Sequence, residues 1–250
     1  MDVKRIESMW RGGDRQAALA LAQTAEGDDL LPVAEALLRC ARDVDAPEWE
    51  DAARFAVRLR EKVWPPGHPR AGYSAMPLAD LLKREGRLAD AEAVLRQSEA
   101  LAEAGAGDDS DPLRDAVFAR ARLHLVQGRD DQAEAALLRA AEIEDAGRHP
   151  KRPPFTAPLG ELRALYMRQG RYAEAAAMAE RELKAGRLVP GDEAILLTEH
   201  ARALLAAGQV AAAKKALARA QSLLSKPTTA DPDPLVATIE NLLSEASRGG

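Results

Sequence analysis

The stretch EGRLADAE, Glu85–Glu92, decides how this chain folds, because related stretches follow it at nearly regular distances. QGRDDQAE begins 42 residues later at Gln127, QGRYAEAA begins 42 residues after that at Gln169, and AGQVAAAK begins at Ala207. Apolar residues lie three or four apart on both sides of each glycine, a spacing typical of two amphipathic helices joined by a break. Each stretch is therefore predicted to form the corner of a helical hairpin.

The glycine of each corner is expected to end the first helix, because glycine tolerates the left-handed backbone conformation. Five residues later comes a small residue that lets the second helix pack closely: Ala91, Ala133, Ala175 and Ala213. Two weaker copies lie upstream, with Gly13 five residues before Ala18 and Pro47 five before Ala52. The corners at 13, 47, 86, 128, 170 and 208 are thus 34 to 42 residues apart, which indicates stacked helical repeats.

The segments between the corners contain helix-start signals. A polar residue or valine precedes a proline at 67–72, 109–114, 148–153 and 189–194, and proline fits the first helical turn, where its missing N–H is not needed. A last amphipathic helix is predicted from about Pro234, with an apolar stripe of Leu235, Ile239, Leu242 and Leu243. A lone final helix with a polar outer face is what a stacked array needs at its end.

Composition and charge narrow the class of protein. Hydrophobic residues make up 46% of the 250 residues but aromatics only 4%, and the dominance of Ala and Leu favours an all-helical chain. A formal net charge of −5 argues against nucleic acid or an anionic membrane as a partner. Cys40 is the single cysteine, so no internal disulfide can form and a reducing cytoplasm is expected. The first ten residues lack the apolar core of a signal peptide.

The corner stretches GRLADAE, GRDDQAE and GRYAEAA resemble the tetratricopeptide repeat family, in particular the longer repeats of kinesin light chains and many bacterial proteins. The resemblance covers residues 65–225 well and 1–64 loosely. It implies an all-α, right-handed superhelical solenoid of six helix-turn-helix repeats plus a C-terminal capping helix. Residues 1–226 would form the array, with weak repeats in 1–64 and clear ones in 65–226, and 227–250 a linker and the cap.

The resemblance also implies a binding surface on the concave side, lined by the first helix of each hairpin. Kinesin-light-chain repeats carry asparagine pairs nine and ten residues before the corner glycine, where they grip a peptide backbone. This chain has other residues there, for example Pro77 and Met76, or Glu199 and Thr198. A peptide is therefore expected to bind in a different manner.

Sequence motifs for catalysis or metal binding are missing from the chain: it has no G-x-S-x-G elbow, phosphate loop, H-E-x-x-H or C-x-x-C. His68 and His149 precede prolines and are interpreted as caps, and His124 replaces an apolar residue and is interpreted as a packing residue. Glu199 and His200 are neighbours on one helix and point in different directions. No cofactor, no metal site and no enzymatic activity are predicted, and Cys40 is expected to be a small core residue.

In the family's geometry, positions 13, 10, 6, 3 and 2 before each corner glycine face the groove, and we call these positions the inner face. Its predicted binding residues combine cations with apolar groups: Tyr73, Met76, Lys83, Arg84, Phe118, Arg122, Met167, Arg168 and Arg202. Asp80 and Asp115 lie among them. A cationic, partly apolar groove in an acidic protein favours an acidic, partly apolar protein or peptide as partner.

Two functions remain open at this point, with an enzyme as a distant third. The first is a non-catalytic adaptor or scaffold that binds a protein or peptide on its concave face. The second is a regulatory sensor whose array changes curvature when a small peptide or metabolite binds, which small-angle scattering with and without ligand would distinguish. A basic loop at Arg148, Lys151 and Arg152 is interpreted as solvated, with docking of an acidic partner as the alternative.

Overall fold

The computed structural model describes residues 1–43, 45–105, 110–147, 152–186, 188–224 and 234–248, and the side chains of the last segment at 237–244. Thirteen α-helices and no strand occur in these residues. The helices are α1 (Val3–Arg11), α2 (Arg15–Ala22), α3 (Leu30–Cys40), α4 (Trp49–Val63), α5 (Met76–Arg84), α6 (Leu88–Gly105), α7 (Asp111–Val126), α8 (Asp130–Ala146), α9 (Ala157–Arg168), α10 (Tyr172–Ala185), α11 (Pro190–Ala206), α12 (Val210–Leu224) and α13 (Pro234–Arg248). The predicted all-α class is confirmed.

Consecutive helices pair into hairpins, α1 with α2 through α11 with α12, and α13 follows alone. The six hairpins and the single terminal helix are those that the repeated corners predict. The chain divides into two compact units, residues 1–147 with the first four hairpins and residues 148–250 with the last two hairpins and α13. The first unit contains one connected apolar core that runs from Ile6 on α1 to Leu123 on α7.

The corner glycines adopt the conformation that the repeats predict. Gly86 has φ +72°, and its N–H donates to the Lys83 carbonyl at 3.1 Å, while the N–H of Arg87 donates to the Leu82 carbonyl at 2.9 Å. This pair of bonds is the Schellman motif, which satisfies carbonyls at the end of a helix. Gly13, Gly128, Gly170 and Gly208 have φ between +68° and +86° and form the same pair.

The second corner differs from the others. It spans eight residues, from Ala41 to Glu48, because α3 ends at Cys40 and α4 begins at Trp49. Pro47 therefore lies seven residues beyond the end of its first helix, whereas Gly86 lies two beyond the end of α5. This longer connection explains why the second copy of the repeat is weak.

We expect Gly128→Ala to lower the free energy of unfolding by about 1–2 kcal/mol, the cost of placing an L-residue in the left-handed region. A Cβ at Gly128 meets no atom within 4 Å, so steric clash adds nothing. Gly191 also has open space but lies in the first turn of α11 without a positive φ, so Gly191→Ala should change stability by less than about 1 kcal/mol. Urea unfolding measures the free energy of both variants. Equal losses would contradict the assignment of Gly128 as a helix end that needs the left-handed conformation.

Close packing of the two helices of a hairpin depends on the small residue after the corner. The predicted residues have no exposed surface: Ala18, Ala52, Ala91, Ala133, Ala175 and Ala213. Leucines of both helices of a hairpin are also fully buried, as at Leu123 on α7 and Leu137 on α8. The alanines thus allow the close approach that the sequence predicts.

Two of the expected helix starts are found, whereas the expectation at 67–72 is wrong, because only a short 3-10 turn, Ala71–Tyr73, follows Pro69 and α5 begins at Met76. Pro112 is the second residue of α7 and Pro190 the first of α11. Residues 148–151 of the third proline segment, with His149, lie outside the described residues. The terminal helix begins at Pro234 as predicted, packs against α12 and α11, and buries Ile239 to 1% exposure.

Candidate functional site

The inner-face residues of α5 are close together at the end of the helix. Arg84, the last residue of α5, is exposed. Lys83 is half-buried, and its Nζ lies 2.9 Å from Oδ1 of Asp80, one turn earlier. Met76 is the first residue of α5 and is half-buried. This part of the inner face therefore offers a guanidinium with no ion-pair partner among the described residues, beside the ion pair of Lys83 and Asp80.

Tyr73 lies in a short 3-10 turn before α5 and is connected to α7 through a polar network. Its hydroxyl donates to Asp115 Oδ2 at 2.9 Å, and Arg114 Nη2 donates to Asp115 Oδ1 at 2.7 Å. Arg114 Nη1 also donates to Glu144 Oε2 of α8 at 2.6 Å, and both of these residues are buried. Burial and the neighbouring Asp115 carboxylate raise the pKa of Tyr73, so the hydroxyl keeps its proton. Tyr73 and Asp115, 42 residues apart, are thus in direct contact.

The inner-face residues of α7 present both kinds of group that the sequence predicts. Phe118 is half-buried and Arg122, one turn later, is exposed. Val126 at the end of the helix is 64% exposed, the highest fraction among the large exposed hydrophobic residues of the described chain. An exposed aliphatic side chain thus lies on the same helix as an exposed cation.

In the second unit, the inner-face residues lie on α9 and α11. Met167 is half-buried and Arg168 is exposed at the end of α9. Arg202 on α11 is exposed, with its Nη1 3.0 Å from Glu199 Oε1. Arg163 of α9 also reaches Glu199, with an Nη1–Oε2 distance of 3.6 Å. This surface is polar, and its cations are partly balanced by carboxylates of the same unit.

Arg84 belongs to a cleft between α3, α4 and α5 that we call the arginine cleft. The cleft has a volume of about 150 Å³. Its lining consists of Glu35, Leu38, Arg39, Arg42, Arg60, Pro77, Asp80, Leu81 and Arg84. Guanidinium groups from three different helices and from the connection after α3 therefore converge on one small space.

Arg60, on α4, is the buried member of the arginine cleft. It is 8% exposed, and its Cζ lies 4.9 Å from the centre of the Trp64 ring. Its Nη1 lies 3.3 Å from Glu35 Oε1, but its Nε has no hydrogen-bond partner in the described part of the chain. Burial lowers the pKa of Arg60, although a guanidinium stays charged at any physiological pH.

Sequence reasoning identified Arg84 but not Arg39, Arg42 or Arg60. Arg39 lies at the end of α3 and Arg42 just after it. Inner-face positions are counted back from Pro47, but α3 ends seven residues before Pro47, so the count does not reach them. Arg60 belongs to a second helix, which the inner-face rule does not include. The cluster of basic residues around the end of α3, Arg39 and Arg42 in RCARD, is the only sequence signal for this part of the cleft.

Packing and local turns account for His68, His124 and Cys40. His124 is 2% exposed, and burial lowers its pKa. Cys40 is free and buried, and burial raises the pKa of its thiol to about 11, so it is a poor nucleophile. His68 accepts a hydrogen bond from the N–H of Arg70 at 3.0 Å, which closes a turn and not the start of an α-helix, since α5 begins only at Met76. In the part of the chain that is described, no cluster of His, Cys, Asp and Glu could hold a metal ion.

A second cleft, of about 480 Å³, lies between α10, α11 and α12. Leu183, Leu197 and Leu204 line it together with His200. Burial lowers the pKa of His200, and its Nδ1 has no hydrogen-bond partner. The cleft is thus more apolar than the arginine cleft.

Solved structures with the same arrangement of helices show which fold this is. BtubC (BKLC) from P. vanneervenii superposes with a TM-score of 0.63 over 94% of this chain and 95% of its own, at 18% identity. A kinesin-light-chain-like protein from Podosopora anserina with nearly identical TPR-like repeats gives a TM-score of 0.59 over 79% of this chain and 95% of its own, at 21% identity. The chain has a tetratricopeptide-like repeat fold. PilW, a type IV pilus biogenesis factor, shares this fold with a TM-score of 0.51, 19% identity and 96% coverage of both chains.

The tetratricopeptide-like fold is recognisable in structure but not in sequence comparisons. No family model matches the sequence, and no curated protein is significantly similar to it. The arginine cleft is lined by α3 and α5, the first helices of their hairpins, and by α4, a second helix. None of the described helices has the length and apolar character needed to cross a membrane.

Proposed function

We propose that the chain is a non-catalytic adaptor or scaffold that binds a protein or peptide through the inner face of its tetratricopeptide-like array. The proposal takes residues 1–226 as the array and 227–250 as linker and cap. It places the protein in the cytoplasm, because its one cysteine is a buried, free thiol. The neighbours share the fold at 21% identity or less, so the argument for binding rests on this chain's own surface.

The observation that carries the proposal is the regular placement of exposed arginines on the first helices. Arg84 and Arg168 lie two residues before their corner glycines, and Arg122 and Arg202 lie six before theirs. These two positions are four residues apart, so they share one face of a helix. Each first helix from α5 to α11 thus presents an exposed arginine on the corresponding face, in a chain of net charge −5.

The expected partner segment is acidic and partly apolar. Guanidinium groups bind carboxylates through paired, charge-assisted hydrogen bonds. Met76, Phe118 and Met167 are half-buried beside the arginines and can contact apolar side chains of the partner. Arginine, methionine and aromatic residues are the types enriched at protein interfaces.

Reversing the charges of Arg84, Arg122 and Arg168 to Glu together should weaken partner binding by about ten-fold or more, because three attractions become repulsions although each exposed pair contributes only about 0–1 kcal/mol. Raising the salt concentration should weaken the unmutated complex as well, since exposed charges are screened. The unmutated protein and the triple variant are each used to capture proteins from native lysate. The affinity of the most strongly captured protein is then measured by titration with both.

The matched control reverses Lys62, Lys214 and Lys215, which are exposed on the second helices α4 and α12. It changes the net charge equally but leaves the inner face intact, so binding should persist. Circular dichroism of both triple variants should show unchanged helicity. A partner whose affinity ignores both the inner-face reversal and salt would contradict the proposal and direct attention to the loop at Arg148–Arg152.

A further inference from the structure

The arginine cleft contains a buried cation whose charge is incompletely compensated. Arg60 is 8% exposed, and its single ion-pair partner among the described residues is Glu35, whose side chain is 45% exposed. Among the described residues the Nε of Arg60 has no acceptor, and this atom is closed to solvent. A buried charge with a weak partner is unfavourable, and an anion in the cleft would compensate it.

Two further arginines of the cleft have no ion-pair partner among the described residues. Other charged residues of the cleft are already paired: Arg39 with Glu7, at an Nε–Oε1 distance of 2.7 Å, and Asp80 with Lys83. Arg42 and Arg84 are exposed and pair with no carboxylate in the described chain. Four arginines and two carboxylates line the cleft, which gives it a formal charge of +2.

We propose that the arginine cleft binds a doubly charged oxyanion, the phosphate group of a phosphorylated residue in the partner segment. This inference rests on the proposed function in one respect, namely that a protein or peptide carries the phosphate. A phosphate monoester near neutral pH carries about −1.5 to −2 charges and three acceptor oxygens. These acceptors match the exposed forks of Arg42 and Arg84, and the phosphate charge would lie near the buried guanidinium of Arg60, which also lines the cleft.

A carboxylate fits the arginine cleft less well than a phosphate does. It has one charge and two oxygens in a plane, so it would leave one of the two unpaired guanidinium groups of Arg42 and Arg84 without a charge partner. Glu35 and Asp80 would repel any anion, but the four arginines outnumber them. Because the net charge of the cleft is positive, a divalent anion is attracted more strongly than a monovalent one. The volume of about 150 Å³ suits a single phosphate group.

The test uses the full chain and two probes, N-acetyl-phosphoserine amide and N-acetyl-glutamate amide, at constant ionic strength. Nitrogen-15 NMR follows the arginine Nε–H signals, and the Arg60 signal is assigned by its disappearance in Arg60→Lys. We expect the phosphoserine probe to shift the Arg60 signal and the glutamate probe to bind about ten-fold more weakly. Affinity for phosphoserine should fall as the pH drops below its second pKa of about 6, where the phosphate becomes singly charged.

The Arg42→Gln/Arg84→Gln variant should lose about ten-fold or more in affinity for the phosphoserine probe. The control variant Arg5→Gln/Arg70→Gln removes two exposed arginines of the same unit that do not line the cleft, and should change affinity by less than about two-fold. Circular dichroism verifies that both variants fold.

Two results would overturn the inference. If the glutamate probe binds as well as the phosphoserine probe, the cleft is a carboxylate site, and the proposed adaptor function stands. If neither probe shifts Arg60, or the control variant loses as much affinity as the cleft variant, the cleft is ordinary surface. The adaptor function is then judged by reversing Arg122 and Arg168 alone, because both lie outside the cleft.

Discussion

Arg114→Ala is expected to lower the free energy of unfolding by about 3–5 kcal/mol, the range for removing one partner of a buried ion pair. Arg114 is 7% exposed and Glu144 6% exposed, and their Nη1–Oε2 distance is 2.6 Å. Without the guanidinium, Glu144 would remain a buried carboxylate beside Asp111 and Asp115, two further partners of Arg114. The effect comes from the carboxylates left behind more than from the lost attraction.

Tryptophan fluorescence during urea unfolding measures this effect in the first unit, because all three tryptophans of the chain, Trp10, Trp49 and Trp64, belong to it. The double variant Arg114→Met/Glu144→Leu is the control. It replaces the buried pair by apolar groups of similar size, which is often neutral, and so should recover much of the lost stability. A loss below about 1 kcal/mol in Arg114→Ala would mean that water reaches the network.

Ile239→Asp is expected to destabilise the second unit by more than about 4 kcal/mol, since it removes an apolar side chain and buries an unpaired charge. Ile239 is 1% exposed on α13, which packs against α12 and α11. Deleting residues 227–250 should have a similar effect and also uncover apolar surface of the last hairpin, so the truncated protein should aggregate. Burial of one such side chain contributes about 1.5–3 kcal/mol.

Thermal unfolding followed by circular dichroism, with light scattering for aggregation, measures both changes. Glu240→Ala is the matched control, because Glu240 is the next residue of the same helix and is exposed. Its effect should stay within about 0.5 kcal/mol. An unchanged melting temperature and solubility after truncation would show that α13 does not cap the array.

The inner face was only partly predictable from the sequence. The repeat near 42 residues brings Tyr73 and Asp115 into contact, since equivalent positions of neighbouring repeats are adjacent in a stacked array. The sequence does not show whether an inner-face side chain is exposed or hydrogen-bonded to other residues, because that depends on which helices pack beside it. Tyr73 is held by a network that includes Glu144 of a second helix, and no rule about first helices includes that residue.

The sequence by itself determined the hairpins, because corner chemistry is local. A glycine such as Gly128 takes the left-handed conformation that ends a helix, and Ala133 five residues later permits close packing. The tertiary structure alone decided the arginine cleft. Arg42, Arg60 and Arg84 are far apart in sequence, and the eight-residue second corner breaks the repeat between them. Burial of Arg60 depends on how α3, α4 and α5 pack, and electrostatic environment follows from such packing rather than from sequence spacing.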